Sequence, residues 1–198
     1  MANLESFRKF ISRGITTPVI SALAKTPLTP NAVTCIGFII TIGAGALICT
    51  DYWLVAGIVV LVAGLFDMLD GALARATNKT TRFGAVLDST LDRMSEAILL
   101  VSLIAIFARD GFLTECILAG AALVGSLLVS YIRARIEGLG VECKEGIFTR
   151  PERVILLALG LMLSQFNYAM LITLSLLTLF SWFTVIERML YAWRKLKE

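Results

Sequence analysis

Residues 53–92 read WLVAGIVVLVAGLFDMLDGALARATNKTTRFGAVLDSTLD. The stretch opens as an apolar run of the length that crosses a bilayer, about 20 residues, and places Asp67 and Asp70 inside its own end. After a short polar joint a second apolar run begins, with Asp88 and Asp92 in its first turns. A charged residue within a membrane span costs about 2.5–3.5 kcal/mol on insertion scales and is functional by default. On a helix, Asp67, Asp70, Gly71 and Ala74 share one face by i, i+3, i+4, i+7 spacing, and Gly84, Asp88 and Asp92 share one by i, i+4 spacing. The short joint makes the two helices antiparallel neighbours, so four carboxylates are expected to converge. Four like charges at that spacing cannot all stay ionised without compensation. One or two divalent cations, which favour hard oxygen ligands, resolve the conflict. The small residues on the same faces let something bulky approach the backbone. That combination suits a metal-bridged diphosphate. Glycine and alanine on such a face more commonly mean tight helix packing, and one acid alone could be neutral or paired with Arg75, Arg82 or Arg93. Four acids in register are not accounted for in that way.

Composition agrees with the apolar reading. Of 198 residues, 58% are hydrophobic and 17% charged, against about a quarter charged in soluble domains. A soluble enzyme, a secreted disulfide scaffold, a disordered linker and a nucleic-acid module are all disfavoured. There is no histidine, which removes His-based triads and His-ligated zinc. Metal chemistry must then rest on carboxylates, which suit magnesium, manganese or calcium. Cys35, Cys49, Cys116 and Cys143 form no CxxC pair. Three of them lie in or at the end of apolar runs and read as small buried hydrophobes.

Six apolar segments can be drawn: 32–50, 53–74, 83–108, 113–132, 154–165 extending to either side, and 168–186. The expected fold is an all-α integral membrane protein with six transmembrane helices. Residues 1–30 differ: Phe7, Phe10, Ile11, Gly14 and Ile15 fall on one helical face and Arg8, Lys9 and Arg13 on the other. That pattern predicts an amphipathic juxtamembrane helix in the interface, preceding a six-helix domain over 31–198. The interrupted apolar core argues against a signal peptide. With the N-terminus on side one, that side collects 16 of the 18 basic residues, leaving Arg109 on side two and Arg93 inside a span. The positive-inside rule then places both termini in the cytoplasm. No internal repeat of the kind that builds inverted-repeat transporters is visible.

The pattern D-x-x-D-G-x-x-A-R, eight residues, G-x-x-x-D-x-x-x-D resembles the signature of the CDP-alcohol phosphotransferase (CDP-alcohol phosphatidyltransferase) family. Asp67, Asp70, Gly71, Ala74, Arg75, Gly84, Asp88 and Asp92 fill every position of it. The six-span pattern and amphipathic N-terminal helix also resemble the family, so the likeness covers essentially the whole chain. It implies a membrane-bound transferase of phospholipid biosynthesis that uses Mg2+, with Mn2+ as an alternative. Asp67, Asp70 and Asp88 are then metal ligands, and Asp92 is both ligand and general base. Asn31, Ala32, Val33, Thr34, Gly71, Arg75 and Thr81 match positions that hold the CDP-linked lipid. The family departs at Asn31, where an acidic residue is common.

Further stretches, at 66–71, 81–88, 130–135 and 150–153, are similar to the branch of the family that makes phosphatidylinositol phosphate and archaetidylinositol phosphate. That likeness implies CDP-diacylglycerol and inositol phosphate as substrates, with phosphatidylinositol phosphate and CMP as products. In that branch a basic pocket beside the metal site receives the acceptor phosphate. The matching cations are Arg133, where many members carry Lys, together with Arg150, Arg153 and Arg188. Physics is consistent with a polyanionic acceptor, since guanidinium binds phosphate bidentately. The same cations also satisfy the positive-inside rule and meet anionic headgroups. Arg153 has Glu152 or a neighbouring loop acid as an alternative partner. Homodimers in the cell membrane, with the active site facing the cytoplasm, are the implied assembly and place. Two alternatives stay open: another acceptor (glycerol phosphate, inositol or serine), and a divalent-cation transporter. The acids crowd one side of the membrane, whereas a transporter needs access from both.

Overall fold

In the computed structural model, which describes residues 28–197, every regular element is an α-helix. They are α1 (Pro30–Cys49), α2 (Trp53–Ala76), α3 (Arg82–Asp110), α4 (Leu113–Glu137), α5 (Arg150–Met162) and α6 (Ala169–Leu196). The amphipathic helix expected over residues 1–30 falls almost wholly outside the described residues. Helices α1, α2, α4 and α6 are long and apolar enough to cross a membrane. Helix α3 is long enough as well, rising about 44 Å, but it carries Arg93, Glu96, Arg109 and Asp110.

Helix α5 departs from the expected span. Its 13 residues rise about 20 Å, short of the roughly 30 Å hydrocarbon core. The apolar segment drawn to residue 165 stops being helical three residues sooner, and 163–168 is a run of turns in which Tyr168 has a left-handed backbone. Ser164, Gln165 and Asn167 supply the polarity there. At most other ends the helices run past the apolar segments, because helical hydrogen bonding continues into charged turns that hydropathy does not register.

Local chemistry sets the helix ends. Thr29 precedes Pro30 at the start of α1, and its hydroxyl accepts the Ala32 N–H at 3.2 Å, as an N-cap before a first-turn proline does. Helix α2 ends with Asn78 left-handed and Lys79 N–H donating to the Ala74 carbonyl at 3.0 Å. This is a Schellman closure, and the same closure follows α1 at Asp51 and Tyr52. Thr81 caps α3, its hydroxyl accepting the Gly84 N–H at 2.9 Å. Thr149 and Glu152 form a reciprocal capping box at α5 with Pro151 in the first turn, so Glu152 is committed there rather than to Arg153.

The described chain divides into two compact units. The first comprises residues 28–40 and 62–92, which join the beginning of α1, the end of α2 and the beginning of α3. Val33, Ala63 and Leu73 are its buried apolar residues, and Gly37 lets α1 approach Phe66 and Asp67 of α2.

The second unit comprises residues 41–61 and 93–197, with the large apolar core. Small residues set its helix spacings. A Cβ on Gly57 would lie 2.7 Å from the Ala158 carbonyl oxygen, and one on Gly160 would lie 2.4 Å from the Thr173 hydroxyl. In the Gly43-Ala44-Gly45 stretch, Gly45 abuts Ser102 and Ala44 is buried, while Gly43 meets nothing within 4 Å. The Thr178 hydroxyl and Trp182 indole of α6 donate to the Leu118 and Ala121 carbonyls of α4. Arg109 donates to both Asp51 and Asp110, and its hydrogen bond holds the Asp51 carboxyl below the usual range. The cysteines are free. Cys35 and Cys49 are exposed and Cys143 is the buried one, which reverses the expectation from apolar context alone.

A buried ion pair crosses this second core. Arg153 Nε and Nη2 donate to the two Glu96 carboxylate oxygens at 2.5 and 2.8 Å, with Arg153 only 1% and Glu96 6% exposed. Removing one partner leaves an uncompensated buried charge. We therefore expect Glu96→Ala to destabilise the protein by about 3–5 kcal/mol, measured as a lowered unfolding midpoint in detergent. An unchanged midpoint would contradict the structural weight given to the pair.

Candidate functional site

The first unit encloses a pocket of about 180 Å3. Helix α1 contributes Pro30, Asn31 and Thr34, and α2 contributes Asp70, Gly71, Ala74 and Arg75. The joint supplies Lys79, Thr80 and Thr81, and α3 supplies Gly84, Ala85 and Asp88. The two helix ends quoted at the outset therefore do meet. The Schellman turn after α2 and the Thr81 cap of α3 complete that meeting within a few residues. Gly84 allows it sterically, since a Cβ there would lie 2.9 Å from both Asn31 Oδ1 and Thr81 Oγ1.

Asp70 is the most deeply placed acid, at 4% exposure. Its Oδ1 accepts the Gly71 N–H, while Oδ2 is buried with no hydrogen-bond partner. Thr34 lies against the same carboxylate, but its hydroxyl donates to the Pro30 carbonyl at 3.1 Å. A buried carboxylate oxygen without a donor is costly, and a hard divalent cation is the partner that carboxylates take in such surroundings. The residues present fit such an ion.

The four acids are not equivalent. Asp88 lines the pocket with Asp70, and Asp67 and Asp88 both act on Asp70 through their charge. Asp67 Oδ1 lies 3.1 Å from the point a Gly37 Cβ would occupy, which turns it toward α1. Asp92, half-buried one turn beyond Asp88, is not part of the lining. Among the described residues no three carboxylates stand at coordinating distance of a common point. Mutual repulsion favours such an arrangement of like charges.

The residues matched to CDP-lipid positions divide similarly. Asn31, Thr34, Gly71, Arg75 and Thr81 line the pocket. Val33 is buried in the first unit, and Ala32 is half-buried with its N–H taken by Thr29. A Cβ on Gly71 would meet only Arg75 Nη1, at 3.5 Å, so this glycine opens the backbone toward the pocket instead of serving a helix contact.

The four candidate acceptor arginines lie in the second unit. Arg188 is buried, with Nε donating to the Glu145 carbonyl at 2.9 Å and Nη1 to the Val129 carbonyl. Arg133 and Arg153 are close enough to act on it through their charge, so these three form a cationic cluster. Gly146, at φ +112°, matters here because a Cβ would lie 2.9 Å from Arg188 Nε. Arg133 is exposed and bonded to Glu137 at 2.8 Å. Arg150 is half-buried in the first turn of α5. Arg153 is held by Glu96, and its Nη1 donates to the Phe148 carbonyl at 3.3 Å.

Sequence reasoning missed Glu96 and the pocket residues Pro30, Lys79, Thr80 and Ala85. Glu96 had a readable signal, being an acid inside an apolar run four residues after Asp92. The others had little, because a joint's composition does not say which way its residues face.

The profile of the CDP-alcohol phosphatidyltransferase family matches residues 27–190. The chain is 35% identical to an archaetidylinositol phosphate synthase of Methanothermobacter thermautotrophicus over 98% of its own length and 96% of the relative's. It is 38% identical to a phosphatidylinositol phosphate synthase of Mycobacterium tuberculosis, over 93% and 90% of the two chains. The crystal structure of that mycobacterial synthase with CDP-DAG bound superposes with a TM-score of 0.81 at 36% identity, covering 90% of this chain and 94% of that one. The same enzyme in complex with manganese and citrate gives 0.82, covering 90% and 89%. With the signature, the helical architecture and the profile in agreement, the chain belongs to the CDP-alcohol phosphatidyltransferase family.

Proposed function

We propose that this protein transfers the phosphatidyl group of CDP-diacylglycerol to inositol phosphate, giving phosphatidylinositol phosphate and CMP. The observation that carries the reading is the buried Asp70 Oδ2 without a partner, set in a pocket with Asp88 and Arg75. The names of the relatives support the choice of acceptor.

Asp67, Asp70, Asp88 and Asp92 would hold the divalent cation, Mg2+ or Mn2+, whose charge stabilises phosphoryl oxygens and the departing nucleotide. Asn31, Thr34, Gly71, Arg75 and Thr81 hold the nucleotide part of the lipid, with Ala32 and Val33 building the helix beneath them. The inositol hydroxyl attacks the lipid-linked phosphorus. A new P–O bond forms, the bond to the bridging oxygen breaks, and its electron pair leaves on CMP. Asp92 takes the hydroxyl proton. With no histidine in the chain, a carboxylate is the base this sequence offers. Arg133, Arg150 and Arg188 bind the acceptor phosphate, while Arg153, buried and held by both Glu96 oxygens, stands behind them as a structural support.

The same reading makes the protein a multi-pass enzyme of the cell membrane with six spans. The α5 segment completes the fifth span with its flanking turns. Both termini and the active site face the cytoplasm, residues 1–30 lie along the interface, residues 31–198 form the catalytic domain, and the assembly is a homodimer. The sorting of 16 of 18 basic residues to one side supports this orientation.

Asp92→Asn should reduce CMP release at least about a hundredfold, the lower range for losing a general base, while metal-dependent binding of the CDP-lipid persists. Wild-type-like CMP release from this variant would contradict the base assignment. For the acceptor, Arg133→Ala should raise the KM for inositol phosphate about tenfold, as expected for one charge-assisted contact, and leave the KM for CDP-diacylglycerol unchanged. Equal changes in both would show that Arg133 does not bind the acceptor.

A further inference from the structure

Neither the family signature nor the acceptor cluster includes a lysine, yet the pocket has one in its lining. Lys79 stands there with Arg75, Thr80 and Thr81. Its backbone is fixed: the Lys79 N–H donates to the Ala74 carbonyl at 3.0 Å, Asn78 is left-handed, and the Thr77 hydroxyl donates to the Leu73 carbonyl at 2.8 Å. A helix closure of this kind sets where the residue after it emerges. Here Lys79 and Arg75, both exposed, line the same opening.

The lining sets two cations, Arg75 and Lys79, beside two carboxylates, Asp70 and Asp88. In the functional reading above the carboxylates would be taken up by the divalent ion, which leaves the two cations for the two negative charges of a diphosphate diester. The requirement rises during the reaction. When the bridging P–O bond breaks, the electron pair stays with the nucleotide, whose phosphate gains a negative charge as it becomes a monoester. An ammonium is a compact point charge on a flexible stem and serves any phosphate oxygen within reach.

We propose that Lys79 is a second cationic contact for the diphosphate of the CDP-linked lipid and for the departing cytidylate. The proposal deepens the functional reading above and rests on it. It makes Lys79 a ligand of the nucleotide half of the reaction and gives it no part in recognising the acceptor.

Equilibrium binding of CMP to the purified full-length protein in detergent tests this, with Mg2+ present and with chelator. Lys79→Ala should weaken CMP binding about fivefold at low salt in both conditions. Lys79→Arg should retain most of the affinity, and the salt dependence of binding should be shallower in the alanine variant. In turnover, the KM for CDP-diacylglycerol should rise while that for inositol phosphate stays unchanged. Lys144→Ala serves as the control for general surface charge and should bind CMP like wild type. Equal CMP affinity in wild type and Lys79→Ala would overturn the proposal and leave the functional reading standing, as would an equal loss in Lys144→Ala. A wild-type protein that binds no CMP would overturn both.

Discussion

A carboxylate placed in an apolar helix bundle must either lose its charge or acquire a partner, because isolated ions are poorly solvated there. Asp70 is that carboxylate, with one oxygen on its own helix and the other buried without a donor. Much of the first unit can be read as the means of creating and using this one imbalance. Two Schellman-type and threonine caps end α2 and begin α3 within five residues of joint. The result is that Asp88 shares the pocket with Asp70. Gly84 keeps α3 close to Asn31, and Gly71 leaves backbone open where a ligand can approach. An apolar replacement for Asp70 would suit the helix better, so its retention makes sense only as part of a site that something charged completes.

The second unit solves the opposite problem. Its most deeply buried charge, Arg153, is paired within the protein, with Glu96. Buried pairs of this kind add little net stability but are severe to break, which makes α5 intolerant of change at its first turn. Close approaches at Gly45, Gly57, Gly125 and Gly160 supply the tight helix contacts that membrane proteins use where apolar burial gives little discrimination. Arg188 stands between these regimes: it is buried and hydrogen-bonded to main-chain carbonyls, which satisfy its donors without cancelling its charge. In the proposed reading, that residual charge is what draws the acceptor phosphate.

The acidic site was legible in the sequence because helical period converts spacing into a shared face, and acids inside apolar runs stand out. Asp70, Gly71 and Asp88 came together as that reasoning expects, and Asn31, Arg75 and Thr81, which the family resemblance implied, line the same pocket. Period does not reveal side-chain direction within a face, however, and Asp67 turns toward Gly37. Partners distant in sequence were beyond it too. Glu96 and Arg153 are 57 positions apart, and only the tertiary fold brings them together. Hydropathy carried the fifth segment three residues too far, to 165, since it does not register that helical hydrogen bonding gives way to turns from Leu163. Lys79 was passed over because its role depends on the left-handed turn at Asn78, a conformation that asparagine favours but does not announce.

The central claim is that a CDP-activated lipid and a phosphate-bearing inositol are the two substrates. Purified protein incubated with CDP-diacylglycerol and Mg2+, given inositol phosphate, inositol, glycerol phosphate or serine in turn, tests it through the mass of the lipid product. The account predicts phosphatidylinositol phosphate and stoichiometric CMP with inositol phosphate, and little product with the other three. Efficient product formation with any of those three in preference to inositol phosphate would contradict it.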